Sequence, residues 1–284
     1  MSHLSRQLAA LSATEMVAAL GAATAPKLVR QGLALPFYAA SRTLGQTLAG
    51  LDDAIATHGL PGAAALTLER FGVRLQTSGV GRSEGPRLVL ANHPGAYDAL
   101  ALMSALGRED LRILAADRSF LRALPRLSSH LLFVADRPIE RAGALKRAVR
   151  HLRAGGALLH FPAGKIEPDA DFAPEGAPLL EPWQPGVAAL VAACARFDGR
   201  VAVAGVRGVH SPRAKGWLLN RMAEGRGITT LSPLLQMVGG LRDVATRVCC
   251  FDADSARQLG ELTVSEQQAV LRAALERAIR GSLS

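Results

Sequence analysis

Apolar residues recur every three or four positions through the first 55 residues of the chain, which is the spacing of amphipathic helices. We predict a helical annex over residues 1–60 that Pro26 and Pro36 break into pieces. Its apolar side carries Leu28, Leu33, Leu35, Phe37 and Tyr38, and its polar side carries Arg6, Lys27, Arg30 and Arg42. Such helices either lie in a lipid interface or cover the core of the adjoining domain, and the pattern fits both.

The pattern changes after the turn-forming stretch 59–62, where short β-like runs begin to alternate with helix-like runs. This alternation predicts an α/β domain over residues 61–284. Strands are expected at residues 73–77, 87–91, 113–116, 131–134, 157–161 and 201–206. Helices are expected at residues 96–106, 140–153, 187–197 and 264–280, the last of them capped by Thr263 or Ser265.

The charge of the chain narrows its partners. Its 284 residues include 33 Lys and Arg against 24 Asp and Glu, a formal net charge of +9. This excess favours anionic partners such as a membrane surface, phosphate groups or nucleic acid. Aromatic residues make up only 4% and are not interleaved with basic ones, as they are on platforms that stack single-stranded bases. We therefore expect no nucleic-acid partner.

Cysteine usage and the apolar stretches indicate where the protein acts. The three cysteines lack CxxC spacing, so neither a disulfide framework nor a metal site is expected. Glu15 interrupts the apolar part of the N-terminus, so we expect no signal peptide. The charge-free stretches 31–41, 182–195 and 228–241 are shorter than the roughly 20 apolar residues of a bilayer span. We expect a cytoplasmic protein that lies peripherally on the inner face of a membrane.

Residues 88–98, LVLANHPGAYD, carry the most informative chemistry, because a strand runs into a polar turn and then a helix. His93 and Asp98 are five residues apart, which on one continuous helix would turn them about 500° from each other. Pro94 and Gly95 predict a turn that folds the imidazole back over the first helical turn. Asp98 could then hold one ring nitrogen of His93 and leave the other to take a proton.

This pair would be a general base without its own nucleophile. A GxSxG match occurs at residues 81–85, but it lies between two predicted strands rather than on the strand-to-helix turn that carries a hydrolase serine. The arrangement suits direct transfer to an outside hydroxyl without a covalent enzyme intermediate. The alternative is structural: His93 caps the helix and Asp98 faces water.

Three further segments, taken with the first, resemble the glycerolipid acyltransferase family. The first motif, residues 92–98, matches at Asn92, His93 and Asp98, and the second motif, residues 133–137, ends in Arg137. The third motif, residues 161–164, matches at Phe161, Pro162 and Gly164, and is followed by Pro182, Trp183 and Gly186 and by the strand at 201–206. The resemblance implies an acyltransferase-type fold, with a mixed central sheet flanked by helices and preceded by amphipathic N-terminal helices.

The resemblance also implies a reaction and its residues. Members esterify hydroxyls of glycerol phosphate, lysophosphatidate and related lyso-lipids from acyl-CoA or acyl carrier protein, at a membrane lipid surface and with no metal or prosthetic group. It makes His93 the general base and Asp98 its orienting partner, and the expected substrate-binding residues are Asn92, Arg137, Phe161, Pro162, Gly164 and Lys165. Gly164 could also bring backbone N–H groups to the thioester oxygen.

The third motif departs from the family at the position that helps bind the acceptor. Ala163 stands where the family has Glu, and Glu167 is a candidate replacement. Either Arg137, Lys165 and the later Arg207, Arg213 and Lys215 recruit phosphate in another way, or the acceptor is not glycerol phosphate-like. Trp183 and residues 228–241 are candidates for an acyl channel or a membrane-facing lip, or are plain core. The rival function is an inactive lipid-binding or adaptor protein that keeps the fold.

Overall fold

The computed structural model describes residues 2–17, 26–79, 84–95, 97–135, 137–215, 236–237 and 240–281. Its helices are α1 (His3–Val17), α2 (Lys27–Phe71), α3 (Asp98–Leu106), α4 (Ser119–Arg122), α5 (Pro125–Ser129), α6 (Pro138–Arg153), α7 (Gly186–Arg196), α8 (Pro212–Lys215), α9 (Ala256–Glu261) and α10 (Val264–Arg280). Its strands are β1 (Arg74–Ser78), β2 (Arg87–Ala91), β3 (Arg112–Ala116), β4 (Leu131–Val134), β5 (Ala157–His160), β6 (Arg200–Arg207) and β7 (Ala245–Ser255). The last helix is capped by Thr263 in a capping box with Glu266.

Helix α2 extends beyond the end of the predicted annex, to Phe71. Pro26 stands immediately before it, but the helix continues through Pro36, so the predicted break at Pro36 is wrong. A proline inside a helix removes one backbone hydrogen bond and costs about 3 kcal/mol, which the other contacts of this 45-residue helix must offset. The predicted turn at 59–62 is reduced to a kink at Gly59, where φ is 66°. The carboxylate of Glu109 accepts a 3.0 Å hydrogen bond from the N–H of Leu60 and so caps the helix segment that restarts there.

The second half of α2 covers the core of the domain. Its buried side chains from Leu44 onward, including Leu51, Leu60 and Phe71, pack in one apolar cluster with Tyr97, the residue immediately before α3. For this half, the structure favours the core-covering alternative. Leu28 in the first half is exposed, whereas the side chains of Leu33, Leu35, Phe37, Lys27 and Arg30 lie outside what the structure describes.

The central sheet has seven strands in the order β1-β7-β6-β2-β5-β3-β4. Strands β6, β2, β5, β3 and β4 are parallel, whereas β7 is antiparallel to β6 and β1 is parallel to β7. The sheet is therefore mixed, with α2 and α3 packed on one face and α6, α7 and α10 on the other. This confirms the predicted α/β class with a mixed central sheet flanked by helices.

Strand β7 was absent from the predicted set. Its buried residues include Thr246 and Cys250, and its central run is interrupted by the charged Arg247 and Asp252. Its position depends on pairing with β6 on one side and β1 on the other, which are far away in the chain. Local alternation of apolar residues could not indicate it.

Strand β2 lies at the centre of the sheet, between β5 and β6, and all five of its residues are buried. The carboxyl ends of β2, β5, β6 and β4 point to the same edge, because these strands are parallel. That edge carries the residues after each strand, which include the first three motifs. Among the described residues, no helix is both long enough and apolar enough to cross a bilayer.

Candidate active site

Asn92 continues the pairing of β2 beyond its last residue. Its side-chain amide donates to the carbonyl oxygen of Val206 at 2.8 Å, and its oxygen accepts from the N–H of Val206 at 2.7 Å. The side chain is fully buried. A substrate contact by Asn92, which was predicted, does not fit this placement. Asn92 instead joins the ends of β2 and β6 directly behind His93.

The turn predicted at Pro94 and Gly95 is present. Gly95 has φ of 91°, a left-handed conformation that glycine adopts without strain. Its N–H donates to Oδ2 of Asp98 at 2.7 Å, and the N–H of Ala99 donates to Oδ1 at 2.5 Å. Asp98 is buried at the first position of α3, where the helix dipole also favours a negative charge.

His93 and Asp98 are in hydrogen-bonding contact. Nδ1 of His93 lies 2.7 Å from Oδ2 of Asp98, so the carboxylate can accept the Nδ1 proton. The His93 side chain is 31% exposed, whereas Asp98 is buried. The alternative in which Asp98 faces water is therefore wrong. With Nδ1 bound to Asp98, Nε2 is the ring nitrogen left for a substrate proton.

The imidazole is packed and electrostatically tuned. Its ring lies against Phe161 of the third motif, with ring centres 4.5 Å apart and planes inclined by 32°. Burial lowers the pKa of His93, but the charge and hydrogen bond of Asp98, with the charge of Glu167, outweigh it and raise the pKa above its usual value. A higher pKa makes the neutral imidazole a stronger base.

The third motif forms a tight turn that is bound to a neighbouring segment. The N–H of Gly164, where φ is 67°, donates to the carbonyl of Phe161 at 3.1 Å. That N–H is already used, which does not support its predicted oxyanion contact. The N–H of Gln184 donates to the carbonyl of Pro162 at 2.8 Å. Ala163 is buried, so the carboxylate usual at this position would have no solvent to face.

Glu167 is bound to the backbone of the first motif. Its N–H donates to the carbonyl oxygen of His93 at 2.8 Å, and its Oε2 accepts from the N–H of His93 at 2.9 Å. Its Oε1 accepts from the N–H of Glu181 at 2.8 Å. The residue is only 3% exposed, so the carboxylate does not face a substrate as the replacement for the missing acid was expected to do.

The basic candidates lie at the same edge but each has a carboxylate beside it. Arg137 begins α6 with its side chain 84% exposed, and its guanidinium lies 3.8 Å from Glu140. Its strand β4 is three places from β2, which is about 14 Å at ordinary strand spacing. Nζ of Lys165 lies 2.9 Å from Glu181.

The later basic residues whose side chains the structure describes also lie beside carboxylates. The guanidinium of Arg207 lies 3.8 Å from Asp171, and that of Arg213 lies 3.9 Å from Asp243. The side chain of Lys215 falls outside the described part of the chain. The structure therefore brings together His93, Asp98 and Phe161, and the basic candidates whose side chains it describes, Arg137, Lys165, Arg207 and Arg213, lie in ion pairs.

Two candidates for an acyl channel have different outcomes. Trp183 is partly buried against the apolar cluster on the α7 and α10 face, with Arg272 5.8 Å from the centre of its ring, so it packs as core. Most of the segment 228–241 lies outside the described residues. A cavity of about 310 Å³ at the β6–β7–β1 side is lined by Gln76, Arg207 and Arg247, among others, and does not include His93.

Comparison with known proteins places this site in a family. Residues 72–204 match the family described as Acyltransferase. The match contains the first three motifs and the first part of β6, so it confirms the resemblance predicted from the sequence. These residues, a little under half of the chain, are therefore similar to that family.

A solved structure is also similar to this chain. The crystal structure of the 1-acyl-sn-glycerophosphate (LPA) acyltransferase, PlsC, from Thermotoga maritima is similar, with 13% sequence identity and a TM-score of 0.45. The similarity covers 86% of this chain and 98% of that one. A search of curated proteins gave no match.

Proposed function

We propose that this protein is an O-acyltransferase that moves a fatty acyl group from acyl-CoA or acyl carrier protein to a hydroxyl of a lysophospholipid-like or other lyso-lipid acceptor. The carrying observation is the 2.7 Å contact between Nδ1 of His93 and Oδ2 of Asp98, with the ring partly exposed at the carboxyl edge of the sheet. The family match over residues 72–204 supports acyl transfer as the reaction.

The proposed mechanism needs one base and no enzyme nucleophile. Asp98 keeps the proton on Nδ1, and Nε2 of His93 removes the proton of the acceptor hydroxyl. The hydroxyl oxygen attacks the thioester carbonyl to form a tetrahedral intermediate. The C–S bond then breaks, and the departing thiolate takes the proton from Nε2. The products are the new ester and the free thiol.

Acceptor recognition is proposed to involve Arg137 and Lys165. Lys165 follows the third motif directly, and its side chain is 58% exposed. Exposed ion pairs contribute only about 0–1 kcal/mol, so a phosphate or carboxylate of an acceptor could displace Glu181 from Lys165 at little cost. Phe161 and Pro162 would contact the acceptor beside the His93 ring, on which Phe161 packs.

We also propose that the protein acts at the inner face of the membrane as a peripheral protein. The formal charge of +9 and the N-terminal helices support attachment to an anionic lipid surface. Retention on anionic vesicles after a high-salt wash would indicate apolar insertion. Release by the wash would indicate that charge alone holds the protein.

The decisive experiment measures thiol release from acyl-CoA in the presence of extracted lipids. Wild type is expected to release thiol, and His93→Ala is expected to lose about 100-fold or more of the rate. His58→Ala is the matched control, because His58 is an exposed residue of α2. Equal release by His93→Ala and wild type would contradict the proposal. Lipid binding by wild type without any release would instead support the inactive adaptor.

A further inference from the structure

Glu167 lies where three segments of the site meet. It follows the third motif, exchanges two hydrogen bonds with the backbone of His93, and accepts a third from the N–H of Glu181. All three distances are 2.8 or 2.9 Å. Both carboxylate oxygens are therefore bound to main-chain N–H groups rather than to a solvent-facing partner.

Burying the Glu167 carboxylate costs free energy unless both of its oxygens accept hydrogen bonds. A buried carboxylate loses its hydration, and backbone hydrogen bonds to both oxygens restore part of it. Burial raises the pKa of Glu167 above its usual value, and the N–H groups of Glu181 and His93 and the charges of His93 and Arg272 oppose that rise only in part. A glutamine of similar shape has only one acceptor oxygen for these two N–H groups, so the site specifically requires a carboxylate.

The main-chain contacts fix the one residue whose position the reaction requires most. The backbone of His93 is bound on both its N–H and its carbonyl by the same residue, while its ring is bound by Asp98 and packed on Phe161. Rotation or displacement of this segment would move Nε2 relative to the acceptor. A misplacement of about 1 Å at a reacting group can cost on the order of 100-fold in rate.

We infer that Glu167 is a positioning residue for acyl transfer: it holds the main chain of His93 in register with the third motif and adds a negative charge beside the imidazole. This inference rests on the proposed function. Glu167 does not touch the substrate, and it acts only through His93.

The charged groups around His93 define the expected titration. Asp98 of α3 faces the ring, and Glu167 faces the backbone of His93. Arg272 of α10 donates to the carbonyls of Leu180 and Glu181, and its charge acts on Glu167, while Lys165 pairs with the Glu181 side chain. The charge of Glu167 raises the pKa of His93, so removing that charge lowers it.

Two variants separate the effect of the charge of the Glu167 side chain from the effect of its length. Glu167→Gln keeps the shape and removes the charge, and its amide group must face one of the two N–H donors. Glu167→Asp keeps the charge but is one methylene shorter, so it cannot reach both N–H groups at once. The matched control is Asp52→Asn, because Asp52 is also a buried carboxylate that accepts two backbone N–H bonds, from Arg126 and Leu127 at 2.9 Å, and it makes no contact with His93.

The first readout is steady-state thiol release as a function of pH. Both Glu167 variants are expected to lower kcat roughly 10- to 100-fold with a change in KM below about threefold. In Glu167→Gln the acid limb of the profile moves to lower pH, whereas in Glu167→Asp it stays closer to wild type. Asp52→Asn is expected to keep both kcat and the acid limb. A loss of kcat in Asp52→Asn equal to that in Glu167→Gln would overturn the inference, because it would reduce Glu167 to a general structural role.

The second readout does not need activity. NMR titration of the His93 ring in wild type, Glu167→Gln and Asp52→Asn reports its pKa directly. A His93 pKa that falls in Glu167→Gln but not in Asp52→Asn supports the inference. It does so even if the protein releases no thiol, in which case only the proposed function fails. An unchanged His93 pKa in a folded Glu167→Gln protein overturns the inference whatever the rates are.

Discussion

Replacing Asp98 by Asn tests the central contact of the site with almost no change in shape. Asp98 uses Oδ1 for the N–H of Ala99, and uses Oδ2 for both the N–H of Gly95 and Nδ1 of His93. If the asparagine oxygen keeps Ala99, its NH₂ group takes the place of Oδ2 and faces the N–H of Gly95, which loses its acceptor. That group would donate to Nδ1 of His93 and drive the ring proton onto Nε2. The nitrogen that should accept the hydroxyl proton would then already carry one.

The expected loss follows from what the contact supplies. General-base catalysis contributes about 10²- to 10⁴-fold, so Asp98→Asn should lower kcat by about that factor. The charge and hydrogen bond of Asp98 raise the pKa of His93, so the variant should also show a lower His93 pKa. Since the base works in its neutral form, the acid limb of the pH–rate profile should move to lower pH in whatever activity remains.

The assay is thiol release from acyl-CoA at saturating lipid, measured across pH for Asp98→Asn and for a control. Asp53→Asn is a suitable control, because Asp53 is exposed and lies 3.4 Å from Arg126, away from His93. Thermal unfolding of both variants shows whether the fold is kept. An Asp98→Asn protein that is folded, retains at least a third of wild-type kcat and has an unshifted profile would refute the proposed role of the pair.

Two further variants test the turn and the third motif. Gly95→Ala places a side chain at φ of 91° and should cost about 1–2 kcal/mol of unfolding free energy together with most of the activity. Gly107→Ala, at φ of 61° and the C-cap of α3, should cost similar stability and leave activity intact. Equal activities in the two variants would contradict the role of the turn. Ala163→Glu introduces a carboxylate at a buried position and should lower the unfolding temperature. It should not increase the use of phosphate-bearing acceptors, as measured by acceptor competition. An unchanged unfolding temperature with faster turnover of phosphate-bearing acceptors would show that this position tolerates the usual glutamate.

The strands that carry the motifs were predictable because their signals are local. An apolar run that ends at a polar turn marked β2, and the structure ends that strand at Ala91 as predicted. The Pro94–Gly95 turn could also be predicted, because glycine and proline determine backbone direction without help from distant residues. The contact of His93 with Asp98 followed from that turn.

What could not be predicted depends on backbone atoms that are distant in the chain. Asn92 looked like a substrate ligand, yet its amide is used by Val206, which is 114 residues away. Glu167 looked like a replacement acid, yet both of its oxygens are used by main-chain N–H groups. No pattern of residue types indicates which N–H group will lie opposite a given side chain.

The central position of β2 explains why these distant contacts meet at His93. The strand has β6 on one side and β5 on the other, so the residue that follows it is within reach of both neighbouring strand ends. Asn92 binds the end of β6, whereas Phe161 and Glu167 come from the segment after β5. A base at the end of an edge strand such as β4 would have only one neighbour to hold it. Because a general base needs its nitrogen fixed in several directions, an interior strand with a parallel neighbour on each side, such as β2, holds one more firmly than an edge strand.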